Sequence, residues 1–169
     1  LTGGPRAFVN GTSYIVESLV QSFAAIMEQI HWYGGMGLGK VGSVGVANDV
    51  TISDAEWASG VWVGGEGMLL DVYRGAAKVL TTEITQVDIT NKKLILASNA
   101  GLLAGDTLFR KGSYGLESLG AHYILQNTGN LFGIDAAQRK LWEANRYDCG
   151  AAALSFEKVS EGIAKAYGR

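Results

Sequence analysis

The chain has a single cysteine, Cys149, so it has no internal disulfide, and no neighbouring ligand residue in the sequence suggests zinc. A reducing compartment fits that usage. Charge is also scarce: 18% of residues are charged, against roughly 25% in ordinary soluble domains. Fourteen basic and sixteen acidic residues leave a net charge of −2, and no Lys or Arg run is dense enough to track a phosphate backbone. This balance argues against specific nucleic-acid binding. No apolar stretch reaches the roughly 18 residues that a membrane-spanning helix needs, and the N-terminus lacks the basic-then-apolar pattern of a signal peptide.

What is present is apolar. At 169 residues and 47% hydrophobic, the chain is long enough to bury a core as one domain, or as a domain carrying a small inserted one, and its composition argues against disorder. Two readings of the scarce charge stay open: some surface hidden against partners, or simply a Gly- and Ala-rich soluble protein. The chain begins at Leu1 and stops at Arg169 just after a promising helix, which gives the expectation of a processed or proteolysed fragment.

From Thr12 to Tyr33 the residues Ile15, Val16, Leu19, Val20, Phe23, Ile26, Met27 and Ile30 recur at helical spacing. Thr12 or Ser13 is the expected N-cap, Glu17 favours the positive end of the dipole, and Gly34-Gly35 ends the helix. Val41, Val44, Val46, Val50 and Ile52 then read as extended chain interrupted at Asn48-Asp49. Between Val61 and Gly112 four β-rich runs follow, Met68 to Tyr73, Thr82 to Ile89, Leu94 to Ala97 and Thr107 to Arg110, separated by turn-formers such as Asn91 and Ala104-Gly105-Asp106. They predict a compact all-β module of barrel or sandwich type. Gly115 to Gly150 reads as irregular with short helical turns. Ser155 is the expected cap of a second helix running to Tyr167, with Phe156, Val159, Ile163 and Ala166 along one face.

Several motifs invite a chemical reading. Gly34, Gly39 and Lys40 match the first fixed positions of a phosphate-cradling loop, but Val41 replaces the magnesium-binding hydroxyl and the segment follows a helix instead of opening one. A flexible helix-to-strand connection is the better reading. Gly35-x-Gly37 lacks the strand–turn–helix setting of a dinucleotide fingerprint. His31 and His122 are the only histidines, and His31 beside Trp32 and Tyr33 reads as packed or capping. No Gly-x-Ser-x-Gly elbow occurs, and Cys149 has no nucleophile-type flank. Glu66, Asp71, Asp88 and Asp106 fall in turns and strand edges, where solvated acids are routine. Trp32, Trp57, Trp62 and Trp142 are scattered without interleaved basic residues, which suits core or interface anchoring better than base stacking. The expectation is therefore no catalytic, cofactor-binding or metal-binding residue, and no enzyme.

The order of the pieces resembles the central part of tailed-bacteriophage major capsid proteins of the Hong Kong phage fold. In that family an Ala-Phe-Val stretch leads into a long amphipathic helix that ends in a tyrosine and a glycine-rich segment, as do Ala7-Phe8-Val9, the helix to Tyr33, and Gly34 to Gly39. Further family-like steps follow in order: Gly67-Met68-Leu69-Leu70-Asp71-Val72, Val87-Asp88-Ile89-Thr90-Asn91-Lys92, Ala104-Gly105-Asp106, and Leu131-Phe132-Gly133-Ile134-Asp135 before Trp142. The resemblance spans nearly the whole chain.

It implies an α+β fold: a long spine helix packed on an extended antiparallel sheet, the peripheral domain, with a small inserted β barrel. Residues 1–60 would supply the spine helix and a peripheral strand, 61–113 the barrel-like insertion, and 114–169 the return to the peripheral domain and the start of an axial-domain helix. The N-terminal arm and most of the axial domain are missing from the pattern, and no cross-linking residue carries over. The implied function is a self-assembling capsid subunit of an icosahedral shell enclosing DNA, located in the virion and assembled in the bacterial cytoplasm. Its implied partners are copies of itself in capsomers, with scaffolding, portal or decoration proteins, non-specific contact with packaged DNA, no membrane and no cofactor. Two alternatives remain: another virion component such as a tail or connector protein, or a small enzyme or ligand-binding protein built on the β module.

Overall fold

The computed structural model describes residues 5–126, 129–135, 138–139, 141, 143–149 and 153–167, residues 5–10 by their backbone. The protein is a mixed helix-and-sheet fold containing a closed six-stranded antiparallel barrel and, among the described residues, four helices. It divides into two units, Leu1–Gly120 and Ala121–Arg169.

Helix α1 runs from Pro5 to Tyr33, 29 residues or about 44 Å at 1.5 Å per residue. It begins seven residues before the expected cap, so Thr12 and Ser13 lie inside it. Proline is tolerated in a first helical turn because its missing N–H has no partner to lose there. Gly11 is carried within the helix despite an intrinsic cost of about 1 kcal/mol relative to alanine. The C-terminal stop is where the sequence puts it. The Gly34 N–H reaches the Ile30 carbonyl at 2.9 Å, and Gly35 turns the chain at φ +76°, a left-handed conformation that favours glycine.

The barrel staves are β1 (Gly39–Val44), β2 (Asp49–Ile52), β3 (Leu69–Arg74), β4 (Ala77–Asp88), β5 (Lys93–Leu96) and β6 (Thr107–Arg110). Around the barrel the order is β1-β2-β5-β4-β3-β6, and β6 returns to β1 through Gly39 opposite Leu108 and Lys40 opposite Thr107. Residues two apart share a face of a strand, so Val50 and Ile52, Leu70 and Val72, and Leu94 and Leu96 all point inward, where they meet Val41, Ile84 and Leu108. Six staves enclose a space that side chains fill. Each fully buried aliphatic side chain contributes about 2 kcal/mol. Trp62, at the end of the short helix α2 (Ser59–Trp62), is 0% exposed within this core and stacks on Trp57 at 6.5 Å between ring centroids.

The four β-rich runs fall on β3 to β6. The two strands before them, expected beside the long helix in residues 1–60, are barrel staves as well, so the barrel begins at Gly39 instead of near residue 61. Burial explains the difference. Val41, Val50 and Ile52 are at most 2% exposed only because β1 and β2 pair with β6 and β5.

In the second unit, α3 spans Ala121–Leu125, and β7 (Asn130–Leu131) pairs with β8 (Ile134–Asp135). Phe132 and Gly133 between them have φ of +52° and +79°, the pattern of a two-residue type I′ hairpin turn. Helix α4 covers Phe156–Tyr167, and the Lys158 N–H donates to Ser155 Oγ at 3.3 Å, the cap expected from the sequence. Trp142 lies outside the described residues.

Candidate functional site

The glycine segment after α1 was the foremost candidate for ligand chemistry, and its surroundings are protein. The Leu38 N–H donates to the Leu108 carbonyl at 2.8 Å, and Lys40 Nζ pairs with Glu56 Oε1 at 2.6 Å. The chain leaving the barrel crosses the same place: the Gly120 N–H donates to the Gly34 carbonyl at 2.9 Å. A Cβ on Gly34 would stand 2.3 Å from the Ser118 carbonyl oxygen, and one on Gly120 would stand 2.6 Å from that of Trp32. These glycines serve a backbone crossing, through which the chain enters and leaves the barrel at a single neck. The outgoing segment is further held by Tyr114, which stacks on Tyr73 at 3.9 Å and meets Phe109 edge-on at 5.0 Å.

Two of the four acids expected to be solvated are buried. Asp106 is 1% exposed and takes both Arg74 Nε and Nη2, at 2.8 and 2.9 Å, and the Leu103 N–H at 2.8 Å. The Arg74 guanidinium holds its carboxyl below the usual range, outweighing burial. Asp71 is 3% exposed and receives Lys78 Nζ and Thr81 Oγ1, each at 2.7 Å, and the Gly112 N–H at 2.9 Å. Burial pushes the Asp71 carboxyl up, but Lys78, Thr81 and the Gly112 N–H more than offset it, and the net direction is down. Asp106 immediately precedes β6 and Gly112 follows it, so the two carboxylates fasten both ends of the closing stave to β3 and the β3–β4 hairpin. Three donor contacts on each carboxylate favour its charged form, which suits a structural clasp. The sequence offers a faint signal for the Asp106 clasp in the turn-like Ala104-Gly105-Asp106, and none for its partner 32 residues away.

The other two acids sit as expected. Asp88 is at an exposed turn, where the Asn91 N–H and side-chain amide donate to it and hold its carboxyl low. Glu66 accepts the Val87 N–H at 3.3 Å, also at the surface. His31 lies edge-on to Trp32 at 5.9 Å, and His122 faces the Gln126 amide at 3.2 Å. Cys149 is half-buried. No cluster of His, Cys, Asp and Glu able to hold a metal occurs among the described residues, and no helix there is long and apolar enough to cross a membrane.

Sequence reasoning missed a polar knot on α4. The Tyr147 hydroxyl donates to Glu161, Lys158 Nζ lies 3.2 Å from the same carboxylate, and Lys165 sits over the Tyr147 ring at 4.6 Å. The Glu161 carboxylate raises both Tyr147 and Lys158, and those two groups lower Glu161. Lys158 and Glu161 are legible as a helical i,i+3 pair. Tyr147 joins them because Gly162 leaves room for its ring, with a Cβ position 3.1 Å from Tyr147 Cδ1.

The largest unexplained feature is apolar. Along α1, Ile15, Val16, Leu19, Val20 and Phe23 are between 53% and 65% exposed, and only Ile26 and Ile30 of the stripe are half-buried. On α4, Phe156 and Tyr167 are exposed, as are Val159 and Ile163 on the same face. Soluble monomers rarely leave contiguous apolar surface of this kind uncovered. No protein-family model matches the chain, and neither the curated proteins nor the solved structures give a significant match.

Proposed function

We propose that the chain is a structural subunit of a viral capsid of the tailed-bacteriophage major capsid kind, self-assembling into an icosahedral shell around a DNA genome. One observation carries this reading: α1 presents a row of five large apolar side chains, each more than half exposed, while the barrel in the same unit has its own core filled. A surface of that composition gains free energy only when another surface covers it. The ordered family-like motifs supply the word capsid. On this reading α1 is the spine helix of a peripheral domain, with its bare face meeting the extended sheet of that domain, and the barrel hung at the Gly34–Gly120 neck is an insertion. The chain then works by geometry and not by catalysis. Stiff elements hold modest interfaces in fixed directions, and symmetric repetition multiplies them.

The test is to express the complete reading frame that contains this chain and image the product by electron microscopy. Closed shells of uniform diameter are the expected result. Tubes or rings would move the protein to another virion component, and a monodisperse monomer under all assembly conditions would sink the proposal.

A further inference from the structure

Besides the bare stripe, α1 borders a groove of about 510 Å³ between its C-terminal half and the Ala58–Val63 segment. Trp32 lines one wall, with Val61 and Val63 on the other. Gln29 ties the walls together: its Nε2 donates to the Val61 carbonyl at 3.1 Å, and its Oε1 accepts from Arg110 Nη2 at 2.5 Å. The groove is thus held open in advance, and the amide at its base has its hydrogen bonds satisfied. The remaining charged group in the lining is Glu28, which is exposed and has no ion pair or hydrogen bond among the described residues.

We propose that this groove docks an extended segment of a partner protein in which a basic side chain stands next to large apolar ones. The apolar walls take the hydrophobic side chains, the free Glu28 carboxylate takes the cation, and the Trp32 indole offers a face on which a guanidinium stacks. Glu28 is the one charged side chain of the lining, and the neighbouring Gln29 amide is already engaged by Val61 and Arg110, so a single carboxylate stands beside the apolar walls, which suits a side-chain anchor with a charged neighbour. The volume lies within the range of preformed ligand sites and accommodates two or three side chains. This goes beyond the shell reading and does not depend on it.

Two tripeptides test it on the 169-residue chain: acetyl-Phe-Arg-Leu-amide and acetyl-Phe-Glu-Leu-amide, each titrated to millimolar concentration and followed by amide chemical shifts. The arginine peptide should shift resonances in 25–33 and 58–63 and bind at least about threefold more tightly than the glutamate peptide, the scale of an exposed ion pair. Glu28→Lys should reverse that preference. A Cβ at Gly60, which also lines the groove, meets nothing within 4 Å, so the side chain of Gly60→Leu starts into open space at the groove. It should abolish binding at an unchanged melting temperature. Absence of shifts in those two segments, equal affinity for both peptides, an unaltered preference in Glu28→Lys, or undiminished binding to Gly60→Leu overturns the proposal.

Discussion

The barrel and the long helix use the same kind of residue to opposite ends. Val50, Leu70, Val72, Ile84, Leu94 and Leu108 are fully buried, because the barrel closes on itself and leaves no free edge. Ile15, Val16, Leu19, Val20 and Phe23 form a stripe of equal quality that meets nothing in their own unit for most of its length. Among the described residues of α1, only the C-terminal part, around Ile26, Gln29 and Ile30, has tertiary contacts of this kind, whereas long-range packing maintains the whole barrel. The barrel is therefore where stability resides, and the helix is where surface remains to be covered.

That contrast should break most severely at Trp62. Trp62→Ala should cost the barrel about 4 kcal/mol by leaving a cavity, read as a large fall in melting temperature, while α1 helicity persists in the far-ultraviolet signal. Trp62→Phe sharpens the point. The indole N–H has no partner among the described residues, so losing it removes an unmet donor and the variant should stay within about 1.5 kcal/mol of the parent.

Asp106→Asn comes next, read as a fall in melting temperature near neutral pH, because the half-exposed Arg74 guanidinium then faces an uncharged partner at the buried end of the clasp. The folded-state carboxyls of Asp106 and Asp71 both lie below their ordinary values. Their contribution to stability is thus complete above the unfolded pKa of about 4 and is lost as pH falls below it through the folded values. Acid unfolding followed by tryptophan fluorescence should accordingly be shallower in Asp71→Asn and Asp106→Asn than in the parent. An unchanged slope would remove the clasp from the account of the barrel.

Gly120→Ala should cost about 2 kcal/mol, since its methyl would overlap the Trp32 carbonyl at the neck and force the outgoing chain away from α1. Hydrogen exchange should show the loss concentrated at 32–35 and 117–120. The smallest effect on the fold belongs to Phe23→Glu, which should change barrel stability by less than about 0.5 kcal/mol yet suppress association of the protein, as measured by sedimentation. A large fall in melting temperature in that variant would mean that the stripe is already used within the chain.

Much of the secondary structure was legible because it obeys short-range rules. The 3.6-residue recurrence in α1, the glycine pair that ends it, the alternating runs that became β3 to β6 and the Ser155 cap are all readable within a few residues. The start of α1 was not, because Thr12 and Ser13 look like caps whether or not helix precedes them, and nothing local reveals that the chain is already helical from Pro5. The assignment of β1 and β2 was missed because extended chain looks alike in any sheet, and only pairing decides which one.

By itself, the sequence determined a long apolar-striped helix, a turn-punctuated β module, a capped second helix and the failure of the phosphate-loop pattern. Tertiary structure decided that six strands close, that Asp71 and Asp106 are clasps instead of solvated acids, and that Gly34 and Gly120, 86 positions apart, form one neck. The physical reason is the range of the interactions. Propensity, periodicity and capping act over a turn or two of chain, whereas barrel closure, carboxylate burial and backbone crossings depend on which distant segments the hydrophobic core brings together.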